Sequence, residues 1–209
     1  VTTSIFSGKA ISKTGKYKKF PIMGTTLMTV GILLMVTLTR ETPFWQLSIF
    51  SILVGAGLGL SMQTIVIALQ NSVDFKDMGV ATSSNTFFRS LGSVFGTALF
   101  GSILTNRVTH YLESGFNELA TTNPAAVSGF DPATLEQLSS NTSVLKELPL
   151  LVQNTALDAF VNSFHVVFLA AAPVTALGIV LALMLREAPL RTNQDYAAAR
   201  EDAAGEALG

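Results

Sequence analysis

The sequence predicts an all-α integral membrane protein with four transmembrane helices. Charged residues make up only 13% of the 209 residues, about half the roughly 25% usual in soluble domains. The mean hydropathy is +0.48, with 49% hydrophobic residues. The apolar residues are gathered into four long runs separated by polar segments, as a chain that repeatedly crosses hydrocarbon requires.

Residues 1–19 open on an apolar stretch, Val1 to Ser7, and continue into a basic segment. They lack the basic start and cleavage site of a targeting signal. They are expected to be the end of a preceding helix and a basic cytoplasmic loop, and the chain is expected to be a fragment. The first span is expected over residues 20–39, closed by Arg40-Glu41-Thr42-Pro43, where the proline cannot continue a helix. The second, residues 44–73, carries no charge and places Trp45 where an interfacial aromatic belongs. The third, residues 80–104, is uncharged except for Arg89. Residues 105–159 are too polar to span and are expected to form a long extracytoplasmic loop. Asp131-Pro132 marks a helix start there, short surface helices are expected, and an amphipathic run follows the polar cluster Asn141-Thr142-Ser143. The fourth span is expected over residues 160–185. Residues 186–209 form a polar cytoplasmic tail whose Ala, Glu and Asp-rich end has too little apolar surface to fold alone.

Lysine and arginine placement orients the chain, because basic residues near helix ends are retained on the cytoplasmic side. Lys9, Lys13, Lys16, Lys18, Lys19, Lys76, Arg186, Arg191 and Arg200 fall on one side, against Arg40, Arg107 and Lys146 on the other. The N-terminal loop and the C-terminal tail are therefore expected in the cytoplasm. No cysteine is present and the two histidines form no cluster, so metal sites and cofactors are not expected. No nucleophile–base pair or phosphate loop supports an enzyme, and nothing points to nucleic acid.

Two spans carry polar faces. Gly55, Gly59, Gln63 and Gln70 share one side of the second, followed by Asn71. Thr82, Asn85, Arg89, Gly92 and Gly96 alternate by three and four along the third. Such stripes face protein or water, since lipid would leave amides and a guanidinium unsatisfied. Gly55, Gly59, Gly92 and Gly96 are candidates for close helix packing. Gln63, Gln70, Asn71, Asn85 and Arg89 are candidates for a substrate pathway, with interhelical hydrogen bonding the competing reading. Arg89 lies nine residues into its span, about 14 Å at 1.5 Å per residue. A charge there costs at least about 2.5 to 3.5 kcal/mol on insertion scales unless it reaches water or a partner. A purely structural Arg89 would snorkel or bond backbone carbonyls. Gln63 lies at a similar depth. Asn154, Asp158, Asn162 and His165 form a stripe entering the fourth span. His165 is a possible proton relay, and the wet side of an entering helix is the alternative. No carboxylate falls within the four expected spans, so carboxylates that couple transport to protons are expected elsewhere.

In the opening segment, Gly8, Lys13, Gly15 and Lys16 resemble the cytoplasmic-loop motif of the major facilitator superfamily, in which glycine, acidic, basic, glycine and further basic residues recur in order. Ser12 stands where the family's N-terminal copy has aspartate, as a degenerate second copy in a C-terminal half would. Without the resemblance, this segment reads as a basic loop that sets topology and touches anionic lipid. Gly55 to Gln63, Ala68-Leu69-Gln70-Asn71, Gly79 to Ser83, Phe87 to Gly92 and Arg186 to Arg191 resemble the superfamily's fourteen-helix drug:proton antiporter branch. The resemblance covers the chain up to its tail. It implies the C-terminal part of a transporter bundle, its last four helices, set in a bacterial inner membrane beside the remaining N-terminal helices. It further implies export of hydrophobic or amphipathic small molecules against protons by alternating access. The alternative class is a non-transport four-helix membrane scaffold whose outer loop binds a partner.

Overall fold

The computed structural model describes Gly8, Ile11, Gly15, residues 17–124 and residues 149–186. Among these, the long elements are helices α1 (Lys19–Met35), α2 (Phe44–Ser72), α3 (Met78–Thr122) and α4 (Leu150–Met184). A single 3-10 turn, Phe75–Asp77, leads from α2 into α3. Three helices are long and apolar enough to cross a membrane, and α1 is a shorter apolar helix. Its C-terminal turn tightens into i to i+3 bonds: Thr37 N–H donates to the Leu34 carbonyl at 3.0 Å and Leu38 N–H to that of Met35 at 3.3 Å. With this extension the apolar run reaches the roughly twenty residues that a hydrocarbon core of about 30 Å demands.

Hydroxyls inside these helices bond back to their own backbone. Thr25 Oγ1 donates to the Pro21 carbonyl at 2.7 Å, Thr29 to Thr25 at 2.9 Å, Ser51 to Leu47 at 2.9 Å and Thr64 to Leu60 at 2.7 Å. Each removes a donor that hydrocarbon could not satisfy.

The chain divides into two compact units. The first comprises the described residues of Val1–Val30, Ile52–Ser93 and Thr175–Gly209. In it α1 and α2 meet at glycines. A Cβ on Gly24 would lie 2.7 Å from the Gly57 carbonyl oxygen and also collide with Ser61 Oγ, and one on Gly57 would lie 2.6 Å from Met28 Cγ. Gly57, Ser61, Thr64 and Ala68 are buried at helical spacing, so this small-residue stripe is the contact face of α2. The Ser61 hydroxyl is buried without a hydrogen-bond partner among the described residues. A small cluster of Ile11, Tyr17 and Ala68, backed by Phe20, Ile67 and Leu185, closes this unit near the end of α4.

Of the four glycines expected to pack, the described residues leave three open and bury one. Gly55, Gly92 and Gly96 have open space where a Cβ would stand, while Gly59 is buried. In Gly55-Ala56-Gly57-Leu58-Gly59 successive glycines are two residues apart and point about 200° apart around a helix. A periodicity count identifies faces without saying which face meets α1.

The second unit comprises Gly31–Ser51 and the described residues of Val94–Val174. Its core is Val108, Leu112 and Phe116 on α3 against Val152, Ala156 and Ala159 on α4, with Leu104, Tyr111 and Phe160 packed around them. Here the structure corrects the expected helix ends: α3 continues beyond Leu104 to Thr122, and α4 begins at Leu150 rather than Phe160. Overall polarity marks where a span ends, not where a helix ends. The 3.6-residue rhythm of Val108, Leu112 and Phe116 holds a water-compatible helix pair together through one apolar stripe. The Asp131-Pro132 and Asn141-Thr142-Ser143 features and the tail beyond Arg186 lie outside the described residues.

Gly24→Ala or Gly57→Ala should destabilise the purified protein by about 1–3 kcal/mol, the usual cost of overpacking, visible as a lower thermal midpoint. Gly92→Ala and Gly96→Ala, which meet open space among the described residues, should lower that midpoint less.

Candidate functional site

All five candidate pathway residues fall in the first unit. Gln63 is exposed on α2, while Gln70 and Asn71 one to two turns on are half-buried. Gly8 lies beside this face, since a Cβ on it would sit 3.9 Å from Gln63 Cγ. On α3, Asn85 is half-buried and Arg89 exposed. Thr82 Oγ1 donates to the Met78 carbonyl at 2.8 Å and Thr86 Oγ1 to that of Thr82 at 3.0 Å. The hydroxyls are thereby spent on their own helix, which leaves the Asn85 amide and the Arg89 guanidinium as the outward-looking polar groups of this stripe.

Arg89 makes no hydrogen bond or ion pair among the described residues, and it does not meet Gln63. Phe87 and Phe88, 60% and 67% exposed, precede it directly, their rings 5.5 Å apart in an edge-to-face arrangement. The most apolar stretch of α3 is not buried by the rest of the described chain at all. Asn85, Phe88 and Arg89 thus neighbour one another on an uncovered helix, while Phe87 projects about 200° from Asn85 and Arg89. Such a surface can stack on and hydrogen-bond an amphipathic molecule, or seat against other helices. The two phenylalanines were legible only as part of a family likeness.

In the basic segment, Gly8, Ile11 and Gly15 are described ahead of Tyr17. Gly8 and Ile11 are helical. Gly15 N–H donates to the Ile11 carbonyl at 2.8 Å, and Gly15 adopts φ +69°, the left-handed cap that glycine tolerates. Gly8 therefore belongs to the preceding helix rather than to the loop. Ser12, Lys13 and Lys16 lie outside the described residues. Tyr17, which the motif reading passed over, is the anchor: it is 2% exposed, and its hydroxyl donates to the Arg186 carbonyl at 3.0 Å. A lone aromatic among lysines was the available signal.

In the second unit, α4 reaches the turn between α1 and α2. His165 Nε2 bonds the Leu38 carbonyl oxygen. A carbonyl can only accept, so Nε2 carries the proton and Nδ1 is the nitrogen left to gain one. Leu38 follows the last turn of α1, where carbonyls lack intrahelical partners, and the imidazole supplies one. Seven residues earlier on the same face, Asp158 Oδ2 lies 3.7 Å from Arg40 Nη1, with side chains 60% and 38% exposed; a pair so exposed contributes at most about 1 kcal/mol. Asp158 and Asn162 also line a cavity of about 450 Å³ with Tyr111, Glu118 and Thr155. His165 lines an apolar one of about 350 Å³ with Leu47, Phe164 and Phe168.

This architecture, long apolar helices with hydroxyls tied back to their backbone, defines a multi-pass membrane protein. No protein-family model matches the chain, and no solved structure does. Curated proteins do. The chain is 41% identical over 91% of its length to an uncharacterized MFS-type transporter of Mycobacterium tuberculosis, covering 26% of that protein. It is 30% identical over 89% of its length to a multidrug transporter of Bacillus subtilis, covering 37% of it. It is 28% identical over 98% of its length to a tetracycline resistance determinant of Streptomyces rimosus, covering 63% of it. The chain therefore spans between about a quarter and somewhat under two thirds of these relatives. The chain is similar to members of the major facilitator superfamily, with its likeness in the drug-efflux branch, and those relatives are transporters rather than enzymes.

His165→Leu should lower the thermal midpoint by the equivalent of about 0.5–1.5 kcal/mol, the net worth of one hydrogen bond. His165→Gln, which keeps a donor, should recover part of it; no change in either variant would mean that the contact carries no stability.

Proposed function

We propose that this chain forms one wall of a transport pathway in a secondary transporter that exports hydrophobic or amphipathic compounds in exchange for protons, by alternating access. The carrying observation is Arg89. A guanidinium far inside an apolar helix, without a partner among the described residues and beside two exposed phenylalanines, needs water, substrate or another part of the protein to make its position affordable. Gln63, Gln70, Asn71 and Asn85 supply further amides for the same pathway, and the tetracycline and multidrug names of two relatives fit this substrate class.

The remaining helices of the transporter cover the open side of α3 in this reading. They also carry the coupling carboxylates, since those among the described residues here lie in turns or in the polar helix ends. His165 Nδ1 is available for a proton, but its neighbour Asp158 is engaged with Arg40, so a relay there is secondary to its hold on α1. The basic loop and the tail face the cytoplasm and the long α3–α4 connection faces outward, in a bacterial inner membrane, on the charge asymmetry of the sequence.

The test is drug accumulation in vesicles carrying the intact protein, with and without an imposed pH gradient. Arg89→Ala should reduce gradient-driven transport at least tenfold while leaving membrane abundance unchanged. Transport indifferent to the gradient rejects antiport, and parallel losses of abundance and transport reject a pathway role for Arg89.

A further inference from the structure

Along the second unit, α3 and α4 flank an open cavity of about 490 Å³, lined by Ile103, Asn106, Arg107 and His110 on α3 and by Val166 and Ala170 on α4. We propose that this cavity binds the headgroup of an anionic phospholipid, from the leaflet that meets the Arg40 and Arg107 end of the helices. This goes beyond the transport reading and does not rest on it, because it requires only a phospholipid bilayer.

The four α3 residues recur at three, four and seven positions, so they share one face. Three of them carry hydrogen-bond donors: a guanidinium, a carboxamide and an imidazole. The fourth, with Val166 and Ala170, makes an apolar floor. A ligand that satisfies both has a compact anionic end and an aliphatic body. Arginine presents a planar fork that matches phosphate oxygens bidentately. Arg107 makes no ion pair among the described residues, whereas Arg40, at the same end of the helices, is committed to Asp158.

Depth points the same way. The uncharged run of α3 closes near Leu104, three residues before Arg107. At that end Phe44 and Trp45, 81% and 63% exposed at the start of α2, are the aromatic residues that settle where hydrocarbon gives way to headgroups. Phosphate is the anion concentrated at that level. The cavity lining holds no carboxylate, so the ammonium of a zwitterionic headgroup would find no counter-charge, while the hydroxyls of a glycerol headgroup could meet the Asn106 amide. The carboxylates Glu118 and Asp158 line the neighbouring cavity instead. His110 is further fixed by its ring contact with Tyr111, at 5.5 Å between centroids.

Native mass spectrometry of the intact protein, released from nanodiscs of equal phosphatidylglycerol and phosphatidylethanolamine, tests this directly. Wild type should retain phosphatidylglycerol in preference, and Arg107→Gln combined with His110→Gln should reduce that retention at least tenfold. Arg107→Lys should keep part of it, and Arg40→Gln should keep all of it. Val166→Phe, which fills the apolar floor from α4 without touching a charge, should lose retention like the double variant. Equal retention in wild type and both cavity variants overturns the site. Equal loss in Arg40→Gln shows a general charge effect and overturns it too. Displacement of the lipid by millimolar inorganic phosphate would make the ligand a free anion, against the proposal.

Discussion

A peptide group in hydrocarbon has no water to bond, and the described structure follows from that constraint. Every long element is a helix because only a helix satisfies its own N–H and C=O groups within one segment. The same pressure reaches the side chains: Thr25, Thr29, Ser51 and Thr64 turn their hydroxyls onto the preceding turn. Where a helix must stop, the freed carbonyls still need donors. His165 supplies one to Leu38 at the end of α1, and Tyr17 supplies one to Arg186 just past the end of α4. With no hydrophobic drive between helices in lipid, close contact comes from shape alone, as at Gly24 and Gly57, where removal of Cβ brings two backbones together.

The opposite condition holds along α3. From Val80 to Leu99 it carries Phe87, Phe88, Val94 and Phe95 in the open, interrupted by Asn85 and Arg89. In water such a helix would aggregate, and in lipid its guanidinium would be stranded. Apolar residues on most sides with one polar stripe describe a helix that neither water nor lipid alone satisfies.

Much of the architecture was legible because insertion into a bilayer imposes length and polarity on the sequence itself. The α2 limits, the proline turn at Pro43 and the isolated charge of Arg89 follow from hydropathy and sterics. The reach of α3 to Thr122 did not, because a hydropathy reading is sensitive to the bilayer and insensitive to helicity outside it; the i, i+4 stripe of Val108, Leu112 and Phe116 held that information. Gly57 was hidden between two equally plausible glycines, since choosing among them requires knowing the azimuth of α1. The partners of Tyr17 and His165 are backbone carbonyls, 169 and 127 positions away. No side-chain pattern points to a backbone oxygen, so the residues could be noticed but their roles could not.

The Tyr17 contact also has a bearing on how the protein is made. The turn that Gly15 closes is secured by a carbonyl that leaves the ribosome only after α1, α2, α3 and α4 have all been synthesised. Until then the phenol lacks that acceptor, and the turn is held by its local bonds and by the packing of Tyr17 with Ile11 and Ala68. Chain order and assembly order are therefore inverted here: a turn ahead of α1 is tied by a residue just past α4. A nascent chain arrested before Arg186 would carry α1 to α4 and still lack this tie.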